Sequence, residues 1–339
     1  MRKSSMVFHL QYINEETIHE HILERYIDLG SHSDDLKQDL GTFNKNEHLL
    51  EIDIEPPAAV KKLKKRKNKP RQVPSDRYNF VIEQSITSLF SSRDNSNSTT
   101  GYVLWSTTPF FLKWLLYDKN AEPLRSGGDV EILNDPKRQC LNISPLLSKP
   151  NSGDSMCVLE LGTGVSGMLP IVLSNYVDTF VCTDQKGILN KLKFKLQENL
   201  LQLNKRKCIS KSLGLHDDEL ESTSPKVKLE IMLLDWENFK LKSSGILLDT
   251  LTTAKRIHII AMDVIYNEYL INPFLNTLSQ LMEYFQGHDM EVHALIGIHL
   301  RSECVLTEFL EKAIIEYELP VYHVSDSTLK CTRFSLYYL

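Results

Sequence analysis

The stretch that decides the fold is MCVLELGTGVSGMLPIVL, residues Met156–Leu173. Its opening run, MCVLEL, is apolar and typical of a buried strand, and MLPIVL has the composition of a helix. Between them, GTGVSG spaces Gly162, Gly164 and Gly167 as G-x-G-x-x-G. Glycines in such a turn let the backbone bend tightly and approach a ligand, and the start of the following helix offers free N–H groups. The stretch therefore predicts a strand, a ligand-binding turn and a helix.

The alternation of strands and helices continues to the end of the chain. Apolar runs predict strands at TFVCTD, VKLEIMLLDW, RIHIIAMDVIY, VHALIGIHL and Pro320–Val324, with helices between them. The last run, Thr332–Leu339, alternates like a strand that pairs antiparallel with its neighbours. This order predicts an α/β fold with a Rossmann-like, doubly wound, seven-stranded sheet and right-handed crossovers.

The first half of the chain lacks this regularity. The contrast predicts an irregular α+β N-terminal extension and cap over residues 1–150, and a ligand-binding domain over residues 151–339. Within the extension we predict short elements: a helix at Glu15–Leu29 capped by Asn14, strands at Leu49–Ile54 and from Tyr78 onward, and a helix that begins near Pro109.

One basic run stands out in the extension, KKLKKRKNKPR at Lys61–Arg71. Blocks of like charge repel each other and stay extended, so we predict a disordered loop near residues 56–75. Three roles remain open for the run: a solvated linker, a signal for nuclear import, or an arm that contacts phosphate-rich or acidic surfaces.

The composition limits the class of protein. The net charge of -5 is mild, so no global attraction to nucleic acid is predicted, and 42% hydrophobic residues suit a globular protein with a buried core. The six cysteines contain no C-x-x-C pair, which favours reduced thiols and no metal site. We find no signal peptide and no apolar run long enough for a membrane helix. The sequence therefore predicts a cytoplasmic protein without a membrane partner, and the basic run leaves nuclear entry open.

An acidic residue follows the glycine turn at the distance that a nucleoside site requires. Asp184 ends the second predicted strand, where its carboxylate can accept hydrogen bonds from both ribose hydroxyls. The glycine pattern alone is weak and is shared with NAD-binding proteins. Together with the strand, the helix and Asp184 it predicts a nucleoside ligand; the alternative is a turn that serves only packing.

Three features favour S-adenosyl-L-methionine over a nicotinamide cofactor. Glu160 precedes Gly162 and is placed to face the methionine end, where a dinucleotide site needs no acid. Trp236 offers a surface on which adenine can stack, and Asp235 offers an acceptor for its exocyclic amine. The third feature is the terminal antiparallel strand. Trp236 as a half-buried packing residue remains the alternative.

The segments ELGTGVSG, TDQKGIL, LDW and AMDVIYNEYL resemble the methyltransferase-like protein 21 group of class I, seven-strand lysine methyltransferases. The similarity covers most of the chain and is strongest to the fungal enzymes that act on ribosomal proteins. It implies S-adenosyl-L-methionine as cofactor and a lysine of a large-subunit ribosomal protein as substrate. With such a substrate, Lys61–Arg71 is a candidate contact for rRNA or an acidic partner, and nuclear import or no role is an equally good account. It also implies that Trp105 contacts the cofactor. Thr163 and Met262 complete the predicted cofactor-binding residues.

In that group the fourth strand ends in D-x-x-Y, which Asp263 and Tyr266 match. We predict that Asp263 orients the incoming amine and that Tyr266 forms a wall of the acceptor channel. The alternative for Asp263 is a cap for the helix that starts near Asn267. Other functions left open are a class I methyltransferase acting on a different protein, a nucleic acid or a small molecule, and a non-catalytic cofactor-binding scaffold. An NAD-dependent oxidoreductase is the most distant alternative.

Overall fold

The computed structural model of the chain describes residues 7–31, 41–56, 77–86, 100–117, 138–142, 155–217, 224–326, 329 and 332–339. The run Lys61–Arg71, with nearly all of the basic loop predicted near residues 56–75, lies outside these residues. In the described part, no helix is long and apolar enough to cross a membrane. No group of three or more His, Cys, Asp or Glu side chains in that part is arranged to hold a metal ion.

Strands and helices alternate along the described chain. The strands are β1 (Val7–Ile13), β2 (Leu49–Ile54), β3 (Tyr78–Glu83), β4 (Arg138–Asn142), β5 (Met156–Leu161), β6 (Thr179–Asp184), β7 (Lys207–Ile209), β8 (Lys226–Leu233), β9 (Arg256–Met262), β10 (Glu291–His299), β11 (Val321–Ser325) and β12 (Phe334–Tyr338). The helices are α1 (Ile18–Ser31), α2 (Thr107–Tyr117), α3 (Met168–Leu173), α4 (Lys186–Asn199), α5 (Gly245–Leu251), α6 (Glu268–Gln286) and α7 (Glu303–Glu311). Short 3-10 turns lie at Thr100–Tyr102, Leu200–Gln202, Trp236–Asn238 and Leu241–Ser243, and a π turn, Lys312–Glu316, follows α7.

One large sheet organises the molecule, in the order β4-β1-β11-β12-β10-β9-β5-β6-β8-β7. Its strands from β10 to β7 are parallel. Strand β12 lies antiparallel between β10 and β11, and β1 lies antiparallel between β11 and β4. Strands β2 and β3 form a separate antiparallel pair. The parallel strands therefore bring their carboxyl ends to one edge of the sheet.

The Rossmann-like, doubly wound, seven-stranded sheet of the class I methyltransferase fold is confirmed. The predicted strands are β8, β6, β5, β9, β10, β12 and β11, in that spatial order. Strands β7, β1 and β4 were not predicted; β7 and β4 are the two edge strands of the sheet, and β1 lies between β4 and β11. Strands β1 and β4 belong to the predicted N-terminal extension and yet pair within the same sheet. The division at residue 150 stays a prediction.

Two predicted strands end earlier than their apolar runs. Strand β8 ends at Leu233, before Asp235 and Trp236, and β9 ends at Met262, before Asp263. Asp263 has a φ of 59°, a left-handed conformation that a β-strand cannot include. Both motifs therefore lie in turns at the carboxyl edge of the sheet, where ligands meet this class of fold.

Buried side chains cover both faces of the sheet. In β5, Cys157 and Leu159 point to one apolar cluster, and Met156 and Val158 point to the other. The first cluster includes residues of α1, α5, α6 and α7, and the second includes residues of α2, α3, α4, β2 and β3. Burial on both faces explains why the central strands are almost continuously apolar.

Candidate active site

The glycine turn after β5 has the backbone that its sequence predicted. Gly162 and Gly164 have φ values of 76° and 66°, in the region that favours glycine. A Cβ on Gly162 would lie 2.8 Å from Cγ1 of Val264 and 3.3 Å from the indole of Trp236. The turn after β9 and the indole thus pack directly onto the backbone at Gly162, which leaves no room for a side chain there.

Asp184 holds this turn in place. One carboxylate oxygen accepts a hydrogen bond from the N–H of Gly164 and the other from the N–H of Gln185, each at 2.7 Å. Burial raises the pKa of the Asp184 carboxyl to about 6, and the two N–H groups oppose that rise. Asp184 therefore couples the end of β6 to the shape of the turn.

Glu160 is a buried carboxyl that forms no ion pair with a described residue. Its side chain is 3% exposed, and its Oε2 atom has no hydrogen-bond partner among the described residues. Burial raises the pKa of Glu160 to about 8; the nearby Thr163 hydroxyl lowers it, and the negative charge of Asp184 raises it further. An unpaired buried carboxyl is costly, so a cationic or hydrogen-bond-donating group beside it would stabilise the site.

Asp235 and Trp236 form the wall that follows β8. Asp235 caps the short turn after it by accepting hydrogen bonds from the N–H of Glu237 (3.2 Å) and from Nδ2 of Asn238 (2.8 Å). The Trp236 ring packs edge-on against Phe274, with centroids 5.3 Å apart and an angle of 76° between the rings. The indole is therefore held between the glycine turn and α6.

Asp263 lies at the end of β9 and is buried. Its N–H donates to the carbonyl of Gly297 on β10 at 2.7 Å, and its carboxylate forms an ion pair with Arg301. Burial raises the pKa of the Asp263 carboxyl, while the Arg301 guanidinium lowers it. The capping alternative for Asp263 is excluded, because the cap of α6 is Asn267, whose Oδ1 accepts from the N–H of Tyr269 at 2.7 Å.

Trp105 reaches the same edge from the N-terminal half. Its ring stacks with that of Tyr266, with centroids 6.4 Å apart and an interplanar angle of 13°. The Arg301 guanidinium lies 4.7 Å from the centroid of the Trp105 ring. The indole N–H donates to the carbonyl of Thr100 at 3.0 Å, and the Thr100 and Tyr266 hydroxyls lie 2.9 Å apart. The D-x-x-Y tyrosine and the tryptophan are therefore one packed unit.

Backbone contacts fix the Trp105 segment. A Cβ on Gly41 would lie 2.7 Å from the Trp105 ring, and the carbonyl of Gly41 accepts from the N–H of Ser106 at 2.9 Å. Gln84 is 3% exposed, and its Oε1 accepts from the N–H of Leu104 at 3.1 Å. Its Nε2 donates to the carbonyls of Asn44 and Glu47. Through these hydrogen bonds, Gln84 connects its own segment beside the site to the segment of Asn44 and Glu47 and to that of Leu104.

All predicted site residues line one open cleft, which encloses about 890 Å³ including the part open to solvent. They are Trp105, Glu160, Gly162, Thr163, Gly164, Asp184, Asp235, Trp236, Met262, Asp263 and Tyr266. The sequence analysis missed Thr100, Gly101 and Arg301, which no local motif marks. Arg301 follows the end of β10. Its position just beyond the carboxyl end of a parallel strand is the sequence feature that could have marked it as a site residue.

No protein-family model matches the chain. The ribosomal lysine N-methyltransferase 5 of Zygosaccharomyces rouxii is 48% identical over 336 residues, which cover 98% of this chain and 100% of that protein. The enzyme of the same name from Saccharomyces cerevisiae strain AWRI796 is 46% identical over 364 residues, which cover 98% of this chain and 99% of that protein. The solved structure of the human methyltransferase 10 domain containing protein aligns with 56% of this chain and 72% of that chain, with 11% identity and a TM-score of 0.32. The structural similarity is too low to carry an argument, whereas the sequence relatives match nearly the whole chain.

Proposed function

The chain belongs to the ribosomal lysine N-methyltransferase 5 family, and from that premise we propose that it transfers a methyl group from S-adenosyl-L-methionine to a lysine of a large-subunit ribosomal protein. The observation that carries the proposal is the single cleft that the glycine turn shares with Asp263, Tyr266 and Trp105. A nucleoside-binding turn and a candidate acceptor position thereby meet at one edge of the sheet.

The residues of the turn fit this cofactor. The unpaired Oε2 of Glu160 suits the cationic amino group of a bound amino acid. Asp184 lies where a carboxylate accepts from ribose hydroxyls, and the glycine turn allows close approach of a ligand to the backbone. When bound, S-adenosyl-L-methionine would supply a methyl group on a sulfonium: a neutral amine nitrogen would bond to the methyl carbon as the carbon–sulfur bond breaks, and S-adenosyl-L-homocysteine would be the leaving group.

The acceptor side of the cleft must favour a neutral amine. A lysine side chain is an ammonium in water and has to release a proton before its nitrogen can attack. Withdrawal from water favours the neutral form, and the proton leaves to solvent. Because Arg301 already offsets the charge of Asp263, Asp263 acts by accepting a hydrogen bond from the amine and orienting it. Tyr266 and Trp105 form the aromatic wall beside it.

Titration calorimetry with S-adenosyl-L-homocysteine, and with NAD as a control, tests the cofactor. We expect micromolar binding of the first, no binding of the second, and loss of binding in Asp184→Ala. Binding of NAD alone, or of neither compound, contradicts the proposal.

Radiolabelled S-adenosyl-L-methionine tests the acceptor. The protein is incubated with large ribosomal subunits from a fungal strain that lacks the enzyme, and mass spectrometry locates the label. We expect methyl-lysine in one large-subunit protein and no label with Asp263→Ala. Label in rRNA or in a different protein supports the other methyltransferase alternatives, and cofactor binding without any transfer supports a scaffold.

Contact of Lys61–Arg71 with rRNA or an acidic surface, and cytoplasmic residence with nuclear import as the alternative, also belong to the proposal. Deletion of Lys61–Lys69 tests the contact, because each phosphate contact that is lost reduces the salt dependence of binding. Unchanged salt dependence of substrate binding would remove the contact from the proposal.

A further inference from the structure

A single residue, Thr100, contacts the edges of both aromatic rings beside the acceptor position. Its carbonyl accepts a hydrogen bond from the indole N–H of Trp105 at 3.0 Å, and its hydroxyl shares a hydrogen bond of 2.9 Å with the hydroxyl of Tyr266. The two rings are stacked, with an angle of 13° between their planes. Thr100 therefore fixes both members of the stacked pair relative to each other.

Stacking alone would leave the position of the Tyr266 ring poorly defined. Stacked aromatic rings accept a range of offsets, with centroids from about 4.5 to 7 Å apart. Tyr266 lies in the turn after β9 and is only half-buried, so the core does not enclose its ring. The hydrogen bond to Thr100 holds the hydroxyl end of the ring and removes the sliding that stacking would allow.

Thr100 is itself held from the cofactor half of the cleft. It begins the 3-10 turn Thr100–Tyr102. The carbonyl of Gly101 accepts from the N–H of Val165, in the glycine turn, at 3.0 Å. The Tyr102 hydroxyl donates to a carbonyl in the first turn of α4, also at 3.0 Å. The backbone that would bind the cofactor therefore determines where Thr100 lies.

Gly101 lets this turn lie directly on the cofactor half. A Cβ at Gly101 would lie 2.8 Å from Cδ1 of Ile188 in α4 and 4.0 Å from Cα of Gly164. Gly101 does not have a positive φ, so close packing rather than backbone strain is the reason for glycine at this position. The distance between the glycine turn and Thr100 is thus set by backbone contact.

We propose that Thr100 is a positioning residue for methyl transfer, which fixes the aromatic wall of the acceptor channel relative to the glycine turn where the donor would bind. Displacement at the methyl carbon requires the attacking nitrogen and the leaving sulfur to be aligned, and a misplacement of about 1 Å can cost on the order of a hundredfold in rate. Thr100 acts through Tyr266 and does not touch the reacting atoms. This inference rests on the proposed function.

The test compares Thr100→Val with Thr100→Ser, using large ribosomal subunits and radiolabelled S-adenosyl-L-methionine. Valine has the shape of threonine and keeps the carbonyl that Trp105 contacts, so only the bond to Tyr266 is lost. We expect kcat to fall by about five- to tenfold, as for the loss of one neutral hydrogen bond. The KM for the subunits and the affinity for S-adenosyl-L-homocysteine should stay within about twofold of wild type. Thr100→Ser should keep most of the wild-type kcat.

A double-mutant cycle with Tyr266→Phe shows whether Thr100 acts through Tyr266. Both changes remove the same hydrogen bond, so Thr100→Val should not slow Tyr266→Phe any further. The melting temperature of the protein without cofactor or substrate gives a second readout that does not depend on activity. The double variant should melt close to the less stable single variant, rather than lower by the sum of the two shifts.

Gly101→Ala tests the connection to the cofactor half. The added Cβ would meet Cδ1 of Ile188, and Ile188→Val removes that atom. We expect Gly101→Ala to lower kcat, and the double variant with Ile188→Val to regain most of the loss.

Thr277→Val is the matched control for the loss of a threonine hydroxyl. Thr277 lies in α6, and its buried Oγ1 atom has no hydrogen-bond partner among the described residues. We expect this variant to keep the wild-type kcat, so a slow Thr100→Val cannot be ascribed to the change of residue type alone.

Four results would overturn the inference. In the first, Thr100→Val is as fast as the wild-type enzyme. In the second, Thr100→Ser is as slow as Thr100→Val. In the third, the effects of Thr100→Val and Tyr266→Phe are additive in kcat or in melting temperature. In the fourth, Gly101→Ala leaves kcat unchanged. A wild-type protein that labels no ribosomal protein would instead contradict the proposed function, and the inference with it.

Discussion

The two halves of the cleft are built differently. The cofactor half, Glu160 to Asp184, comes from one continuous stretch of strand, turn, helix and strand. The acceptor half joins Trp105 from before α2, Asp263 and Tyr266 from after β9, and Arg301 from after β10. A local sequence motif therefore describes the first half, and only the folded sheet creates the second.

The two halves also differ in how their carboxylates are stabilised. Glu160 is a buried carboxyl and Asp184 a half-buried one; both have raised pKa values, and neither forms an ion pair with a described residue. Asp263 is as buried as Glu160 but is paired with Arg301. The carboxylates of the cofactor half thus depend on a ligand for stabilisation. In the acceptor half, Arg301 neutralises the charge of Asp263. Variants in the two halves should separate cofactor binding from methyl transfer.

The largest effect on cofactor affinity is expected from Gly162→Ala. Its left-handed backbone adds about 1–2 kcal/mol of strain, and its Cβ would press on Val264 and Trp236. We expect the affinity for S-adenosyl-L-homocysteine to fall by about a hundredfold, which corresponds to roughly 2.7 kcal/mol. Gly214→Ala is the matched control, because Gly214 has a φ of 73° but no atom within 4 Å of its Cβ position. Equal loss in both variants would assign the effect to strain alone.

Asp263→Asn should act only on the acceptor half. The change leaves Arg301 without its counter-charge, and the loss of one member of a buried pair costs about 3–5 kcal/mol. We expect kcat/KM to fall by about a hundredfold or more, with lower thermal stability and nearly unchanged S-adenosyl-L-homocysteine affinity. Asp249→Asn, on the exposed side of α5, is the control. A large change in cofactor affinity would contradict the separation of the two halves.

Affinity for S-adenosyl-L-homocysteine should rise with pH up to about 8. The pKa of Glu160 is raised to about 8 in the free protein, so the carboxyl is mostly protonated at pH 7. A cationic amino group beside it lowers that pKa, so binding releases a proton, and affinity can increase by at most about tenfold per pH unit below 8. Calorimetry in buffers of different ionisation enthalpy measures the released proton. A pH dependence that persists in Glu160→Gln would exclude this carboxyl as its source.

The smallest effect is expected from Arg301→Lys. Lysine keeps a charge near Asp263 but loses the planar group over Trp105, a contact worth about 0.5–1 kcal/mol at exposed sites. We expect a loss in kcat/KM of about two- to fivefold, with cofactor affinity unchanged. Arg301→Gln, which also removes the charge, should be clearly slower; equal rates for the two variants would mean that only the stacking matters.

The sequence analysis succeeded for features formed within one stretch of chain and failed for features that depend on distant segments. Central strands such as β5 and β9 were predicted because burial on both faces makes them continuously apolar. The early end of β9 was missed because the left-handed backbone of Asp263 depends on its neighbours, Gly297 and Arg301, rather than on its own residue type. Strand β1 was missed because its pairing with β11 joins opposite ends of the chain.

By itself the sequence determined the alternation of strands and helices, the glycine turn and the acid that follows it. These features arise from side-chain burial and backbone conformation over short distances, which residue type controls directly. Only the tertiary structure decided the ion pair of Asp263 with Arg301 and the packing of Trp105 on Tyr266. Those contacts join segments far apart in the chain, and they exist because the parallel strands bring their carboxyl ends to one edge.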